Sequence, residues 1–150
     1  MAKNGVWILL CVLLMTPPAY AGENVSFENY LKSFDYQERR NMKIGIPEML
    51  HLYKQGQVQI IDIRFREEHQ AYSFSFMKHI PLNELPDRLQ ELDKSKIIVT
   101  VCPHYDRAEL ARTFLTLKGY RSKYLVEGLL GLAEYLRGDR AKDFIIELKQ

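Results

Sequence analysis

Cysteine is scarce in this 150-residue chain: Cys11 and Cys102 are the only two. A small scaffold stapled by several disulfides is therefore excluded. Excess charge of one sign is missing too. The net charge is +2, which removes the electrostatic reason to expect a nucleic-acid partner. There is no internal repeat and no low-complexity tract. The one uninterrupted apolar run, VWILLCVLLM from Val6 to Met15, is ten residues long, and that covers only about half of a bilayer core. What remains is 47% hydrophobic and 27% charged residues, the mixture of an ordinary globular protein. At this length the chain forms one domain with a real core.

The apolar run follows a short segment bearing Lys3 and precedes TPPAYAG, where Ala19 and Ala21 stand in an A-x-A arrangement. This is the pattern of a secretory signal peptide over residues 1–21, cleaved after Ala21. An uncleaved anchor and a core helix are the alternatives. Cleavage removes Cys11 and Lys3 and leaves 20 basic against 19 acidic residues. The expectation is an exported protein, periplasmic or secreted, with no stable membrane anchor and Cys102 as its single thiol. On count alone, a reactive thiol and an inert buried cysteine are equally open.

In the mature chain, residues 22–45 form an extension. Ser26 caps a short helix with Phe27, Tyr30, Leu31 and Phe34 on one face, and DYQERRNMK follows as an irregular stretch. IPEMLHLYKQG reads as a helix with Pro47 in its first turn and Gly56 as its stop. VQIIDIR (Val58 to Arg64) reads as a buried strand, REEHQAY as a helical turn and HIPL as a short strand. NELPDRLQEL reads as a helix capped by Asn83, with Leu85, Leu89 and Leu92 lining one face. KIIVTV (Lys96 to Val101) has the continuous β-branched character of a central strand. A helix from about Arg107 to Lys118 follows, with Leu110, Phe114 and Leu117 on one side and Gly119 closing it. SKYLVEG is a further strand and LLGLAEYLRG a further helix, while residues 139–150 fit either form. Strands alternating with helices imply an α/β domain on a mainly parallel sheet, with ligands bound beyond the carboxyl ends of the strands. Cys102 stands at such an end.

In CPHYDR the thiol occupies a tight connection from strand to helix. If the loop curls, the amides from His104 to Arg107 point at the sulfur, with a helix N-terminus behind them, and both features favour an anion. Pro103 removes one donor. Helix-end effects are worth about 0.3–2 kcal/mol, enough to place substantial thiolate near neutrality. Arg107 adds to this, and Asp106 opposes it unless its carboxylate turns away as the helix N-cap. The expected balance is a reactive thiolate.

On these residues the chain resembles a single-domain rhodanese, a thiosulfate sulfurtransferase-like domain. VQIIDIR is similar to that family's strand ending in an Asp–Arg pair, HIPLNEL to its isoleucine–proline segment, IIVTVCPHYDRAELA to its active-site strand, loop and helix, and LKGYRSKYLVEGLLGL to its closing motif. The resemblance implies a three-layer α/β sandwich with a mainly parallel central sheet flanked by helices, covering residues 46–137, with residues 138–150 packing on it. It implies Cys102 as the sulfur-accepting nucleophile and Pro103, His104, Tyr105, Asp106 and Arg107 as the donor-binding loop. Asp62 and Arg64 become a supporting pair. It implies no cofactor, no metal and no general base. The partners are a small anionic sulfur donor and a thiol or cyanide acceptor.

The likeness lapses over YSFSFM (Tyr72 to Met77), which replaces a segment the family usually carries, and at Leu129 and Leu132 in the closing motif. Only four residues separate Cys102 from Arg107 and residue 108 is alanine. That ring is one residue too short to enclose a phosphate, which argues against a cysteine phosphatase. The expected activity is two-step sulfur transfer through a Cys102 persulfide. The alternative is an exported sulfur-carrier or protein-binding module with little turnover, for which Tyr72–Met77 offers a partner surface.

Overall fold

The computed structural model describes residues 25–148; the expected signal peptide lies outside them. Five strands form one sheet: β1 (Lys43–Ile44), β2 (Val58–Asp62), β3 (Lys78–His79), β4 (Ile97–Val101) and β5 (Ser122–Leu125). Their order is β1-β5-β4-β2-β3 and every pairing is parallel. Among the described residues seven α-helices accompany them: α1 (Phe27–Lys32), α2 (Tyr36–Asn41), α3 (Ile46–Lys54), α4 (Arg66–Ala71), α5 (Asp106–Leu117), α6 (Gly128–Tyr135) and α7 (Asp139–Glu147).

The sheet separates two cores, which makes a three-layer α/β sandwich. On one face Ile61, Ile63 and Ile98 pack with Ala108, Ala111 and Leu115 of α5 and with Leu85 and Leu92. On the other Val58, Ile60, Val99 and Val101 meet Met49 and Leu50 of α3, Leu129 and Leu132 of α6 and Phe144 of α7. The central strands β2 and β4 are apolar toward both faces because both faces are covered, as a parallel sheet requires. Residues 139–147, which fit either form in the sequence, are helical because Phe144 has the inner face of the second core to fill.

Four local expectations change. DYQERRNMK is not irregular: Asp35 caps α2 by accepting from the Glu38 amide at 2.7 Å, and the helix turns Glu38 inward. The helix expected after Asn83 is instead two short 3-10 turns, Leu85–Asp87 and Leu89–Glu91, and Asn83 caps neither. The Gln59 side chain grips this segment, donating to the Glu91 carbonyl (3.1 Å) and accepting from the Asp93 amide (2.8 Å). That ties its end to the sheet before another helical turn can form.

The inner face of α5 is Ala108, Ala111 and Leu115, whereas Leu110 is 61% exposed. The Thr100 hydroxyl donates to the Ala108 carbonyl at 2.7 Å, and small alanines let the helix sit this close to β4. On α1 only Tyr30 is buried, while Phe27, Leu31 and Phe34 face solvent. Tyr30 is drawn in by Arg112 of α5, which donates to its hydroxyl at 2.6 Å and to the Glu38 carboxylate at 2.5 Å. This buried trio fastens the N-terminal extension to the domain.

Candidate active site

Strand β4 ends at Val101 and α5 begins at Asp106, so Cys102 to Tyr105 make a very short connection at the carboxyl edge of the sheet. Cys102 is completely buried, and its Sγ accepts from the Ala108 amide at 3.3 Å. The amides of Arg107 and His104 also favour its anion. The loop therefore curls around the sulfur, as its composition suggests.

The electrostatic balance differs from the expectation. Burial raises the Cys102 thiol above its ordinary value, the amides from Ala108, Arg107 and His104 pull it back only partly, and the Asp106 carboxylate pushes it further up. Asp106 does not turn away as an N-cap. Tyr105 holds the N-cap position without a side-chain bond, and Asp106 points its Oδ1 at the sulfur, 3.6 Å away, where it accepts the thiol proton's hydrogen bond.

Arg107 lies beside the loop with both terminal nitrogens committed. It donates to Glu68 of α4 at 2.7 and 2.8 Å, a bidentate pair of the strong kind. Arg107 draws the Glu68 carboxyl below the usual carboxylate range, and Glu68 in turn raises the guanidinium. Glu68 also accepts from the Phe65 amide at 3.2 Å, so it closes the N-terminus of α4 and clamps the loop arginine together. Phe65 is half-exposed, with the Arg107 guanidinium 5.9 Å from its ring centre. Nothing in the sequence reading singled out Glu68; an acidic residue in a helix's first turn is too common to signal more than capping.

Asp62 and Arg64 form a buried pair: Arg64 Nη2 donates to Asp62 Oδ2 at 2.6 Å and Nε to both carboxylate oxygens. Burial would raise the Asp62 carboxyl, but the bonds from Arg64 and His69 outweigh it and hold it below the ordinary value. Arg64 also donates to the carbonyls of Glu68 and Tyr72, which fixes α4 and hence Glu68. His69 packs its ring 3.9 Å from that of His79, nearly parallel, and His79 donates to the Arg64 carbonyl at 2.9 Å. Asp62 and Arg64 therefore stand one layer behind the loop. Among the described residues no three His, Cys, Asp or Glu side chains converge as metal ligands would.

His104 and Tyr105 are exposed on the outer side of the loop. From beneath, the loop rests on the start of α6: the Leu129 amide donates to the Cys102 carbonyl (2.8 Å) and the Leu130 amide to the Pro103 carbonyl (3.2 Å). Gly128 makes this contact possible. A Cβ there would lie 2.1 Å from the His104 carbonyl oxygen, and its φ is +62°. Of the YSFSFM stretch, Phe74, Phe76 and Met77 pack into the second core, on the far side of the sheet from Cys102, with Phe76 against Phe144 at 5.1 Å. Tyr72 stays 39% exposed over the Arg64 guanidinium. A groove of about 620 Å3 lined by Ile46, Glu127, Tyr135 and Arg140, among others, leaves Cys102 out.

Known proteins agree with this architecture. A tRNA uridine(34) hydroxylase of Cytophaga hutchinsonii is 27% identical over 119 residues, which is 76% of this chain but 38% of the hydroxylase. The chain thus spans well under half of that relative's length. A rhodanese-like domain protein from Staphylococcus aureus is 26% identical with a TM-score of 0.55, the match covering 59% of this chain and 88% of the other. The human single-domain sulfurtransferase TSTD1 shares the fold at 22% identity and a TM-score of 0.55, over 62% of this chain and 96% of its own. The model of the Rhodanese-like domain matches residues 46–134, from the start of α3 to the end of α6 and across the Cys102 loop, and the chain belongs to the rhodanese-like domain family.

Proposed function

We propose that the protein is a sulfurtransferase that carries sulfane sulfur on Cys102. The observation that supports this best is the convergence of the Ala108, Arg107 and His104 amides on a single buried sulfur at the carboxyl edge of a parallel sheet. In the first step Cys102 Sγ attacks the outer sulfur of a small anionic donor of the thiosulfate type. The donor's S–S bond breaks, its electron pair leaves with sulfite, and Cys102 becomes a persulfide. The ring of amides stabilises the charge on the new terminal sulfur. Arg107 supplies positive charge beside the loop, and an incoming anion competes with Glu68 for it. In the second step a thiol, or cyanide in an assay, attacks the terminal sulfur and releases the Cys102 thiolate.

Mass spectrometry of the purified protein after exposure to thiosulfate tests this. A gain of one sulfur atom on the peptide containing Cys102, removed by cyanide, is the expected result; an unchanged mass overturns it. A second reading, a rhodanese-like carrier or binding module with little turnover, is favoured by the committed Arg107 and the raised thiol. Its partner surface would be the edge around exposed Tyr72. Thiocyanate production separates the two, being sustained for the enzyme and stopping after one equivalent for the carrier. Export is part of the proposal: the mature chain begins at Gly22, and N-terminal sequencing of secreted material that still shows Met1 refutes it.

A further inference from the structure

We propose that Asp106 accepts the Cys102 proton as the sulfur attacks, which makes Asp106 a catalytic residue rather than a lining residue of the loop. This rests on the reading of Cys102 as the sulfur carrier and, against the expectation that no general base is needed, adds a proton path to it. Cys102 is completely buried, so its thiol is not open to bulk solvent for loss of the proton. The polar acceptor the fold presents to it is Asp106 Oδ1, 3.6 Å from Sγ. Asp106 is itself exposed, and a proton taken from the thiol passes from its carboxyl to solvent or to the departing sulfite.

The charged groups facing the sulfur define the need. On α5 they are Asp106 and Arg107, and α4 contributes Glu68, whose carboxylate holds both terminal nitrogens of Arg107. With Arg107 neutralised in this way, full ionisation of the thiol before attack is opposed by burial and by the Asp106 charge. Transfer of the proton during attack avoids that state. The step balances: the Sγ pair forms the new S–S bond, the donor's S–S pair leaves on sulfite, and the thiol proton goes to the Asp106 carboxylate. In the second step the released Cys102 thiolate is reprotonated from solvent through the same carboxyl.

A carboxylate that merely burdens the thiol and one that takes its proton predict opposite signs on removal. The experiment compares wild type with Asp106→Asn in two measurements: the pH midpoint of iodoacetamide alkylation of Cys102, and the rate of the first persulfide formation from thiosulfate near neutral pH, followed by rapid quench and mass spectrometry. With the negative charge gone, the alkylation midpoint of Asp106→Asn moves to lower pH. Persulfide formation nevertheless falls roughly 100-fold, the lower end of the range for a lost acid–base group. Asp106→Ala behaves the same way and regains rate in added formate, a readout that a folding defect would not produce. If persulfide formation instead rises in step with alkylation in both variants, Asp106 is only a charge and the inference is wrong while sulfur transfer stands. If wild type itself gains no sulfur, the transfer reading falls and takes this inference with it.

Discussion

If Cys102 carries sulfur as proposed, it meets two opposed demands. A persulfide must be kept from water, which asks for burial, and its sulfur must ionise, which burial resists. The fold answers with directed amides rather than with a free cation, since Arg107 is held by Glu68. Cys102→Ser tests how much of this depends on the sulfur. The hydroxyl cannot form a persulfide, so thiocyanate formation falls to background. Because the side chain lies wholly inside the first core, the more polar hydroxyl destabilises the fold by about 1 kcal/mol, within the usual range for point changes. The Ala108 amide keeps an oxygen partner, which limits the loss. Thiocyanate assays and urea midpoints measured on both proteins check the pair of outcomes; residual turnover in the serine variant removes Cys102 as the nucleophile.

The loop owes its shape to α4 and α6 as much as to its own residues. Helix α4 holds Arg107 through Glu68, and α4 is itself pinned by Arg64 reaching its backbone. Helix α6 supports the loop from below through Leu129 and Leu130. Gly128→Ala drives a methyl group into the His104 and Pro103 carbonyls, which lie 2.1 and 2.4 Å from the Cβ position. It also places alanine at a positive φ, a strain of about 1–3 kcal/mol. The expected result is a lower melting temperature together with a loss of sulfur transfer larger than global unfolding explains, because the displaced backbone is that of the Cys102 loop. Transfer rates measured well below the melting transition separate the two effects; a variant that loses stability but keeps full activity would show that the loop tolerates the shift.

Across the domain, buried ion pairs hold the edges and exposed ones decorate the surface. Arg112 is satisfied by Glu38, Tyr30 and the Ser122 carbonyl, although Tyr30 and Glu38 precede the family match at residue 46. Glu38→Ala leaves a buried guanidinium short of its counter-charge and costs about 3–5 kcal/mol, read as a lower urea midpoint with an unchanged slope. Stability should also depend on pH at both limits. Asp62, Glu68, Glu84, Glu91 and Asp93 all have carboxyls held below their ordinary values. Their contribution is complete above about pH 4.5, the ordinary carboxylate range, and is lost as pH falls through the folded values, which for Glu91 reach about 2. Burial, aided by the bond to Glu38, raises Tyr30 to about 12. A folded pKa above the unfolded one favours folding below about 10 and loses that contribution as pH rises toward 12. Thermal melts across this span should show a plateau with an acid and an alkaline shoulder; stability still rising below pH 4 would contradict the assignment of the carboxylates.

The order of strands and helices, the parallel sheet and the place of Cys102 were legible in residue order, because β-branched runs such as IIVTV and the strand–loop–helix junction around CPHYDR are local patterns. Ser26 as a cap and Pro47 in a first turn are local in the same way. The inner face of α5 was not legible: periodicity alone selected Leu110, and contact with β4 selected Ala108 and Ala111 instead. The turns after Asn83 were decided by Gln59, a residue more than twenty positions earlier. The pairing of Arg107 with Glu68, the burial that raises the Cys102 thiol and the turn of Asp106 toward sulfur all depend on distances between segments far apart in the chain or on exclusion of water. Residue identity determined that a thiol, the Asp106 carboxylate and an arginine would share one loop. Only the packed chain brought Glu68 to the arginine and turned Asp106 toward the sulfur, because Coulombic and hydrogen-bond energies depend on separation and burial rather than on sequence order.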